Sequence, residues 1–205
     1  MSVDECALYL CTAARDDMET FLPSVITGGV DIVQLRDKRL DARDLITEGR
    51  RMRAICHDAG IPFVVNDRPD LALEIEADGV HVGQDDAPVA LCRRLLGPDA
   101  IIGLSTHEDD ELDDALDEDV TYLSAGPVEA TPTKPGRPGT GIGYVQRAIA
   151  RSHVPIFVTG GVTPATIPEL RAAGVTRFVV VRALTEASDP HAAALSLSRA
   201  IRSGA

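Results

Sequence analysis

GGVDIV at residues 28–33 joins the end of a predicted helix to a glycine turn and a short apolar strand. The same arrangement returns as ADGVHV at residues 77–82 and as AGVTRF at residues 173–178. Glycine allows the chain to turn where a helix ends, and a short apolar run suits a strand that is buried on both faces. The repeat therefore predicts a chain built from successive helix, turn and strand units.

Outward from this repeat, short apolar runs alternate with helical patterns along all 205 residues. Eight such units predict an α/β fold, a (β/α)8 or TIM barrel, which commonly has about 250 residues but can be more compact. A doubly wound open sheet is the alternative. Because no linker or shift in composition divides the sequence, we expect residues 1–205 to form a single barrel domain. The predicted strands are 7–13, 31–36, 62–66, 79–84, 100–106, 121–126, 155–160 and 177–182.

Single residues predict where some helices begin and end. A helix over residues 41–60 would be capped by Asp41 and ended by Gly60. A later helix would begin at a capping box formed by Thr166 and Glu169. The apolar face of the first of these helices would consist of Leu45, Met52, Ile55, Cys56 and Ala59.

The amino-acid composition indicates which residue types form the core and which classes of binding partner are excluded. Hydrophobic residues make up 44% of the chain and aromatic residues only 3%, so we expect a core of mainly Val, Ile, Leu and Ala. The formal net charge of −12 argues against nucleic acid and anionic membrane as partners, because both need a basic surface. An anionic substrate would need a local basic cluster.

The four cysteines, Cys6, Cys11, Cys56 and Cys92, show neither a Cys-x-x-Cys pair nor zinc spacing. We expect buried free thiols, as in a cytoplasmic protein. The start of the chain does not match a signal peptide, and no run approaches the ~18 apolar residues of a membrane span. These patterns leave a homo-oligomer open.

Lys38 and Lys134 are the only two lysines among 20 Lys and Arg residues. Each closes a polar segment after a predicted strand, and arginine cannot always replace the compact ammonium charge. Codon bias that left two lysines by chance would explain the same number of lysines. The functional interpretation is that the two lysines belong to a site for a polyanion. Lys134 lies in the irregular stretch 127–141, and a loop of this length inside a compact domain is usually functional.

Polar residues gather where the predicted strands end, which is where active sites lie in barrels of this type. Gln34, Arg36 and Lys38 alternate along and beyond strand two, so their side chains point one way. A polar residue at one strand end could be explained as a helix cap. Polar residues at several strand ends, which meet at the same end of the barrel, predict a ligand-binding site. The other ends carry Asn66, Asp67, Gln84, Asp85, Asp86, Ser105, Thr106, His107, Gly160, Gly161 and Arg182.

These strand ends predict two kinds of ligand. Gly160 and Gly161 suit a phosphate, because backbone N–H groups approach an anion where no side chain intervenes. Asp67 together with Asp85 or Asp86 suits magnesium, which takes one or two protein carboxylates and completes its shell with water and phosphate. The alternative for Asp86 is the N-cap of the fourth helix.

Two histidines near these ends have more than one interpretation. His81 lies within a strand and is expected to be an interior residue with satisfied hydrogen bonds. His107 follows a strand and is expected either to contact the substrate or to start a helix.

Five motifs, in order along almost the whole chain, resemble those of the thiamine-phosphate synthase family. Members of this family are (β/α)8 barrels. The resemblance implies a magnesium-dependent transferase that joins hydroxymethylpyrimidine diphosphate to a thiazole phosphate, often the carboxylated form, and releases diphosphate and thiamine phosphate. The motifs are QLRDK at 34–38, FVVNDR at 63–68, ADGVHVGQDD at 77–86, TPTK at 131–134 and GGVT at 160–163.

The resemblance also implies roles for single residues. Asp67 and Asp86 would bind Mg2+, and Lys134, Lys38 and Arg36 would act in catalysis on the departing diphosphate. Gln34, Arg36, Lys38, Asn66, Ser105 and Lys134 would hold the pyrimidine diphosphate. Thr131, Thr133, Gly161, Val181 and Arg182 would hold the thiazole phosphate. At the position of Arg182 the family commonly has a small hydroxyl residue. The arginine would either strengthen the phosphate contact through charge-assisted hydrogen bonds or narrow the pocket.

The implied chemistry needs no activated nucleophile, because the attacking thiazole nitrogen carries no proton. Fixed charges would stabilise the departing diphosphate. Three other functions stay open. A thiazole tautomerase on a similar barrel would use His107 for proton transfer but would not need the diphosphate residues. A non-catalytic ligand-binding barrel would have lost polar strand ends, and a sugar-phosphate isomerase or epimerase would need only the phosphate site.

Overall fold

The computed structural model describes residues 1–130 and 138–203. Eight parallel strands follow one another in sequence order and close into a barrel, because β8 also pairs with β1. The predicted (β/α)8 fold is therefore confirmed, and the open doubly wound sheet is wrong. The strands are β1 (Leu8–Thr12), β2 (Ile32–Leu35), β3 (Phe63–Asn66), β4 (Gly79–Val82), β5 (Ile101–Thr106), β6 (Tyr122–Ala125), β7 (Ile156–Val158) and β8 (Phe178–Val180).

Helices of the described chain surround the barrel and follow a short 3-10 helix at Val3–Glu5. They are α1 (Met18–Thr27), α2 (Ala42–Asp58), α3 (Pro69–Ile75), α4 (Val89–Leu96), α5 (Asp109–Leu116), α6 (Gly141–Arg151), α7 (Ile167–Ala172), α8 (Arg182–Thr185) and α9 (Pro190–Arg202).

Several predicted boundaries need correction at the C-terminal ends of strands. The strands predicted at 79–84, 155–160 and 177–182 each end two residues early. Arg182 does not end β8 but is the first residue of α8. The sequence pattern extended these strands too far because their last residues leave the sheet to form loops over the barrel mouth.

The predicted helix over 41–60 is confirmed as α2. The Asp41 side chain accepts a hydrogen bond from the Asp44 N–H at 3.0 Å, and Gly60 ends the helix with a φ of +70°. Leu45, Met52 and Cys56 are buried, but Ala59 is exposed and does not belong to the apolar face.

The capping box predicted from Thr166 and Glu169 is wrong. Thr166 does not cap α7 with its side chain. Instead its hydroxyl accepts a hydrogen bond from the Thr163 N–H at 2.9 Å, and the Thr163 hydroxyl accepts one from the Thr166 N–H at 3.2 Å. The reciprocal pair thus forms one turn earlier, with threonine in the place that glutamate usually takes.

The core has two layers because successive side chains of a strand point to opposite sides. The outer layer, between strands and helices, consists mainly of Val, Leu, Ile and Ala, as the composition predicts. The inner layer fills the barrel and contains Tyr9, Tyr122 and Phe157, with ring centroids 5.2–5.9 Å apart and edge-on contacts. A chain with few aromatic residues therefore places three of them on the barrel axis.

At the N-terminal ends of the strands, side chains bond the backbone at strand starts. Asp31, just before β2, accepts from the Leu8 N–H of β1 at 3.0 Å. Asp78, just before β4, accepts from the Phe63 N–H of β3 at 2.8 Å. Thr121, just before β6, accepts from the Ile102 N–H of β5 at 3.0 Å. Residues at the starts of β1, β3 and β5 are thus each bonded by a side chain that precedes the next strand in the sequence.

Candidate functional site

A cavity of about 770 Å³ opens at the C-terminal ends of the strands. Arg36 and Lys38 lie just beyond β2 and face it together with Gln34, as the alternation predicts. Three predicted site residues, Thr131, Thr133 and Lys134, lie outside the described residues. The predicted site residues that line this one cavity are Gln34, Arg36, Lys38, Asn66, Asp67, Asp86, Ser105, Gly161, Val181 and Arg182.

One corner of the cavity brings two carboxylates together beside a lysine. Asp67 follows β3 with a φ of +63°, a left-handed conformation that Asp tolerates better than most residues. Its N–H donates to the His81 carbonyl at 2.8 Å, which holds the turn against β4. Its carboxylate forms an ion pair with Lys38 at 3.0 Å, and the Asp86 carboxylate is near enough to raise its pKa. The sharp turn therefore directs Asp67 into the site.

Burial and the neighbouring Asp86 carboxylate raise the pKa of Asp67 above its usual value, while Lys38 acts in the opposite direction. Two carboxylates this close repel each other when both are ionised. A cation that contacts both oxygens would relieve this repulsion, so the corner has the electrostatic character of a cation site.

Asp86 does not cap the fourth helix, so that alternative interpretation is wrong. The N-cap position of α4 belongs to Pro88. The Asp86 carboxylate instead accepts a hydrogen bond from the Gly83 N–H at 2.8 Å, within its own loop. This bond holds the carboxylate toward Asp67 and the cavity.

Over the described part of the chain, the charges of the cavity wall do not by themselves form a local basic cluster, and Lys134, one of the two lysines on which that prediction rests, lies outside it. Among the described residues, three basic and four acidic side chains line the cavity. The described wall therefore cannot hold a polyanion by net charge alone. The basic side chains are Arg36, Lys38 and Arg182, and the acidic ones are Asp67, Asp85, Asp86 and Glu186.

Asp37 supports the end of β2 and was not singled out by the sequence. Its side chain is 1% exposed and accepts hydrogen bonds from the Arg39 guanidinium at 2.7 and 3.0 Å and from the Arg39 N–H at 2.9 Å. These bonds fix the turn between Arg36 and Lys38, the two cavity residues that flank it. The guanidinium of Arg39 also keeps the pKa of Asp37 below its usual value.

The floor of the cavity is a chain of hydrogen bonds across the barrel axis. Gln34 Nε2 donates to the Tyr9 hydroxyl at 2.8 Å, and the Tyr9 and Tyr122 hydroxyls lie 2.8 Å apart. Tyr122 lies 2.9 Å from His81 Nδ1, and His81 Nε2 lies 2.8 Å from the Ser105 hydroxyl. The prediction that His81 is an interior residue with hydrogen-bond partners is confirmed. Sequence reasoning missed Tyr9 and Tyr122 because apolar strands gave no sign of which hydroxyls meet.

Gly103 on β5 creates the space for this floor. A Cβ atom at that position would lie 2.2 Å from Tyr122 Cζ and 2.5 Å from His81 Nδ1. Only glycine lets the Tyr122 and His81 rings approach the strand so closely. The rings stack with a centroid distance of 5.5 Å.

The opposite side of the cavity has the open backbone that the sequence predicts for a phosphate. Gly160 and Gly161 have φ angles of +89° and +74°. The Thr166 hydroxyl donates to the Gly161 carbonyl at 2.7 Å and so holds this turn. Glu129 packs against Gly161, where a Cβ atom would lie 2.8 Å from its carboxylate. Arg182 lies at the edge of this side, at the start of α8.

His107 has the hydrogen bonds of a residue at a helix start, and its contact with the substrate stays a prediction. Its N–H and its Nδ1 each lie 2.7 Å from the Glu111 carboxylate, one turn into α5, which is a helix-start arrangement. It also lines the cavity.

All four cysteines are buried and none of them forms a disulfide, as predicted. Burial raises the pKa of Cys6 and of Cys56 to about 12, so neither is a reactive thiolate at neutral pH. Across the described residues, none of the helices has the length and apolar character that a membrane crossing requires.

Comparisons with known proteins show similarity to one family over almost the whole chain. Residues 8–184 match the family model described as thiamine monophosphate synthase. A thiamine-phosphate synthase from Thermobifida fusca is 47% identical, and the match covers 96% of this chain and 93% of that protein. One from Synechocystis sp. is 42% identical over 95% of this chain, which spans only 57% of that longer protein. A solved thiamine phosphate pyrophosphorylase from Pyrococcus furiosus has 26% identity and a TM-score of 0.84, with coverage of 96% of this chain and 95% of that one.

Proposed function

Because the chain belongs to the thiamine monophosphate synthase family, we infer that it is a thiamine-phosphate synthase, a transferase of thiamine biosynthesis. The observation that carries this conclusion is the family match across the barrel, together with one cavity that is lined by residues of each motif that the structure describes. The substrates are 4-amino-2-methyl-5-hydroxymethylpyrimidine diphosphate and a thiazole phosphate or its carboxylated form. The products are thiamine phosphate and diphosphate; from the carboxylated form, carbon dioxide is also released and a proton takes the place of the carboxylate.

The reaction forms one bond and breaks another. The thiazole nitrogen supplies the electron pair for a new bond to the pyrimidine methylene carbon, and the bond from this carbon to the diphosphate oxygen breaks, with its electrons leaving on diphosphate. We propose a dissociative course, in which the electron-rich aminopyrimidine bears positive charge as diphosphate departs. Arg36 and Lys38, with Lys134 from outside the described residues, would stabilise the negative charge on the leaving group.

We propose that Asp67 and Asp86 bind Mg2+. Their paired oxygens fit this ion because it takes hard oxygen ligands, one or two of them from protein carboxylates. Among the described residues no three His, Cys, Asp or Glu side chains form a fuller metal cluster, which agrees with an ion that completes its shell with water and phosphate. When bound, magnesium would neutralise charge on the diphosphate. The excess of acidic over basic side chains on the described wall supports this proposal, because a bound cation would offset it when a polyanion binds.

The two substrates would occupy opposite sides of the cavity. Gln34, Asn66 and Ser105 would hold the pyrimidine near the floor, with its diphosphate toward the Asp67 corner. Gly161, Val181 and Arg182 would hold the thiazole phosphate on the open-backbone side, with Thr131 and Thr133 from outside the described residues. Buried thiols suit a protein of the reducing cytoplasm, which we propose as its location.

The test mixes purified protein with both substrates and magnesium and measures thiamine phosphate and diphosphate. We expect equal amounts of the two products and no turnover in excess chelator. Isomerisation of the thiazole phosphate without condensation would support the tautomerase instead, and full activity in chelator would exclude the metal role.

Asp67→Asn and Asp110→Asn form a matched pair for the same assay. Asp110 is an exposed carboxylate of α5 outside the cavity. Asp67→Asn should lose activity by about a hundredfold or more, the typical cost of one preorganised charge in a site, while the protein stays folded. Asp110→Asn should keep full activity, and equal losses in the two variants would contradict the assignment.

A further inference from the structure

The hydrogen bonds on the cavity floor have a direction, and it can be worked out from donors and acceptors. The Gln34 amide nitrogen is always a donor, so the Tyr9 oxygen accepts from it. Among the described residues the remaining partner of the Tyr9 hydroxyl is Tyr122. Tyr9 is 1% exposed, and an unpaired buried donor is costly. The Tyr9 hydroxyl therefore donates to Tyr122.

The same reasoning passes from Tyr122 to the histidine. The Tyr122 oxygen accepts from Tyr9, and its own proton then points to His81 Nδ1, 2.9 Å away. A neutral histidine with an accepting Nδ1 carries its proton on Nε2. His81 Nε2 therefore donates to the Ser105 oxygen, 2.8 Å away. Burial raises the pKa of Tyr9 and of Tyr122 above the usual value for tyrosine, so both hydroxyls keep their protons at neutral pH.

Ser105 is the end of this chain of bonds. Its oxygen is occupied by His81, which leaves the Ser105 hydroxyl proton directed away from the floor. Ser105 lines the cavity at the end of β5, and Gln84 Nε2 bonds its backbone carbonyl at 2.7 Å and so fixes the residue in place. The Ser105 hydroxyl can then donate a hydrogen bond to an acceptor atom of a molecule bound in the cavity.

We propose that Tyr9, Tyr122 and His81 are positioning residues that make Ser105 a hydrogen-bond donor to the pyrimidine substrate. This inference rests on the proposed function for the identity of the substrate. The pyrimidine diphosphate has hydrogen-bond acceptors in its ring nitrogens and its phosphate oxygens. The Ser105 hydroxyl proton is already directed into the cavity before this substrate binds. A hydroxyl free to rotate would have to be ordered on binding, at a cost in affinity.

The first test measures the proton on His81 directly. The intact protein, labelled with 15N in histidine, should show His81 with a protonated Nε2 and an unprotonated Nδ1 at neutral pH. The resonance that disappears in His81→Asn identifies the residue among the five histidines. A proton on Nδ1 with Nε2 bare would reverse the whole chain of bonds and overturn the proposal. This measurement needs no turnover, so an inactive protein would contradict the proposed function and not this inference.

The second test uses two conservative tyrosine variants. Tyr122→Phe removes the hydroxyl that donates to His81 and should raise the KM for pyrimidine diphosphate about tenfold, the loss of one hydrogen bond. The KM for thiazole phosphate and kcat should change far less. Tyr144→Phe is the matched control, because Tyr144 is a buried tyrosine of α6 outside the cavity wall. It should leave both KM values unchanged.

The double variant separates positioning from general packing. Ser105→Ala removes the donor itself and should raise the same KM. If Tyr122 acts through Ser105, then Tyr122→Phe combined with Ser105→Ala should be no worse than Ser105→Ala alone. Independent, multiplying effects would show that Tyr122 contributes only to packing and would overturn the proposal.

Discussion

Gly161 illustrates how a single backbone angle can define a ligand site. Its φ of +74° is left-handed, and a methyl group there would crowd Glu129. Gly161→Ala should therefore raise the KM for thiazole phosphate about tenfold, by shifting the backbone N–H groups that would hold the phosphate. Steady-state kinetics with each substrate varied in turn measures this. The KM for pyrimidine diphosphate should stay nearly unchanged.

Gly60→Ala is the control for Gly161→Ala. Gly60 has nearly the same φ, +70°, but open space around its Cβ position and a place outside the cavity. Both variants should lose roughly 1–2 kcal/mol of stability to backbone strain. Only the change at Gly161 should alter kinetics. A similar rise in KM from Gly60→Ala would mean that strain, not the phosphate site, causes the effect.

Asp37 and Asp70 allow a buried carboxylate to be compared with an exposed one. Each accepts two guanidinium hydrogen bonds from an arginine two residues away, and Asp37 accepts a third from the Arg39 N–H. The Asp37 side chain is 1% exposed and that of Asp70 is 55% exposed. Asp37→Asn should lower the free energy of unfolding by about 1–3 kcal/mol at pH 7. Asp70→Asn should lower it by less than about 1 kcal/mol. Urea denaturation of both variants makes the comparison, and equal losses would contradict it.

The same pair predicts a pH dependence. Arg39 lowers the pKa of Asp37 in the folded protein, so the stabilisation is fully present above the pKa of the unfolded chain, about 3.9. It is lost as pH falls through the lower pKa of the folded state. The stability difference between wild type and Asp37→Asn should therefore shrink below about pH 4. A difference that grows on acidification would have the wrong sign.

At the residue scale, the sequence predicted which polar groups face the site but not how they are supported. Gln34, Arg36 and Lys38 were predictable because alternation in a strand is a local rule. Asp37 was not, since a residue between two site residues should point away and gives no sign that it fixes their turn. Tyr9 and Tyr122 were missed for another reason: their contact joins residues 113 positions apart.

At the scale of elements, the strands were predicted well in the middle and poorly at their C-terminal ends. Apolar runs mark where a strand is buried, but they do not mark its last residue, and the predicted strands were extended past Val82, Val158 and Val180 into the loops that form the cavity. The capping box was misplaced for a similar reason. Thr163 and Thr166 bond each other because Gly161 sets the chain direction one turn before α7 begins.

Asp31 supports a prediction about elements rather than the site. Its carboxylate accepts from the Ala7 and Leu8 N–H groups and from Arg202 of α9, at the end of the barrel opposite the cavity. Asp31→Ala should cost roughly 1–3 kcal/mol, because buried N–H groups lose their partner. Thermal or urea unfolding measures this, with exposed Asp99→Ala as the control. Changed kinetic constants in Asp31→Ala would contradict the separation of stability from function.

At the scale of the molecule, a net charge of −12 opposes compactness. Salt screens this repulsion with a Debye length of about 8 Å at 0.15 M. Exposed ion pairs contribute little for salt to weaken. The melting temperature should therefore rise when NaCl is added to a low-salt buffer, as followed by circular dichroism. A falling melting temperature would show that ion pairs outweigh the net repulsion.

The side chains that accept hydrogen bonds from N–H groups at the strand starts link neighbouring strands in pairs, which we call two-stranded modules. Asp31 belongs with β1 and β2, Asp78 with β3 and β4, and Thr121 with β5 and β6. New chain ends placed between modules, at Gly60 or near Gly97, would leave each of these bonds within one continuous segment. New ends placed inside a module would put a strand and the side chain that bonds an N–H group at its start on opposite sides of the cut. Circular permutation should thus succeed in the loops at Gly60 and near Gly97 and should be tolerated less well between the two strands of a module, so these side-chain hydrogen bonds indicate where the chain can be cut and rejoined.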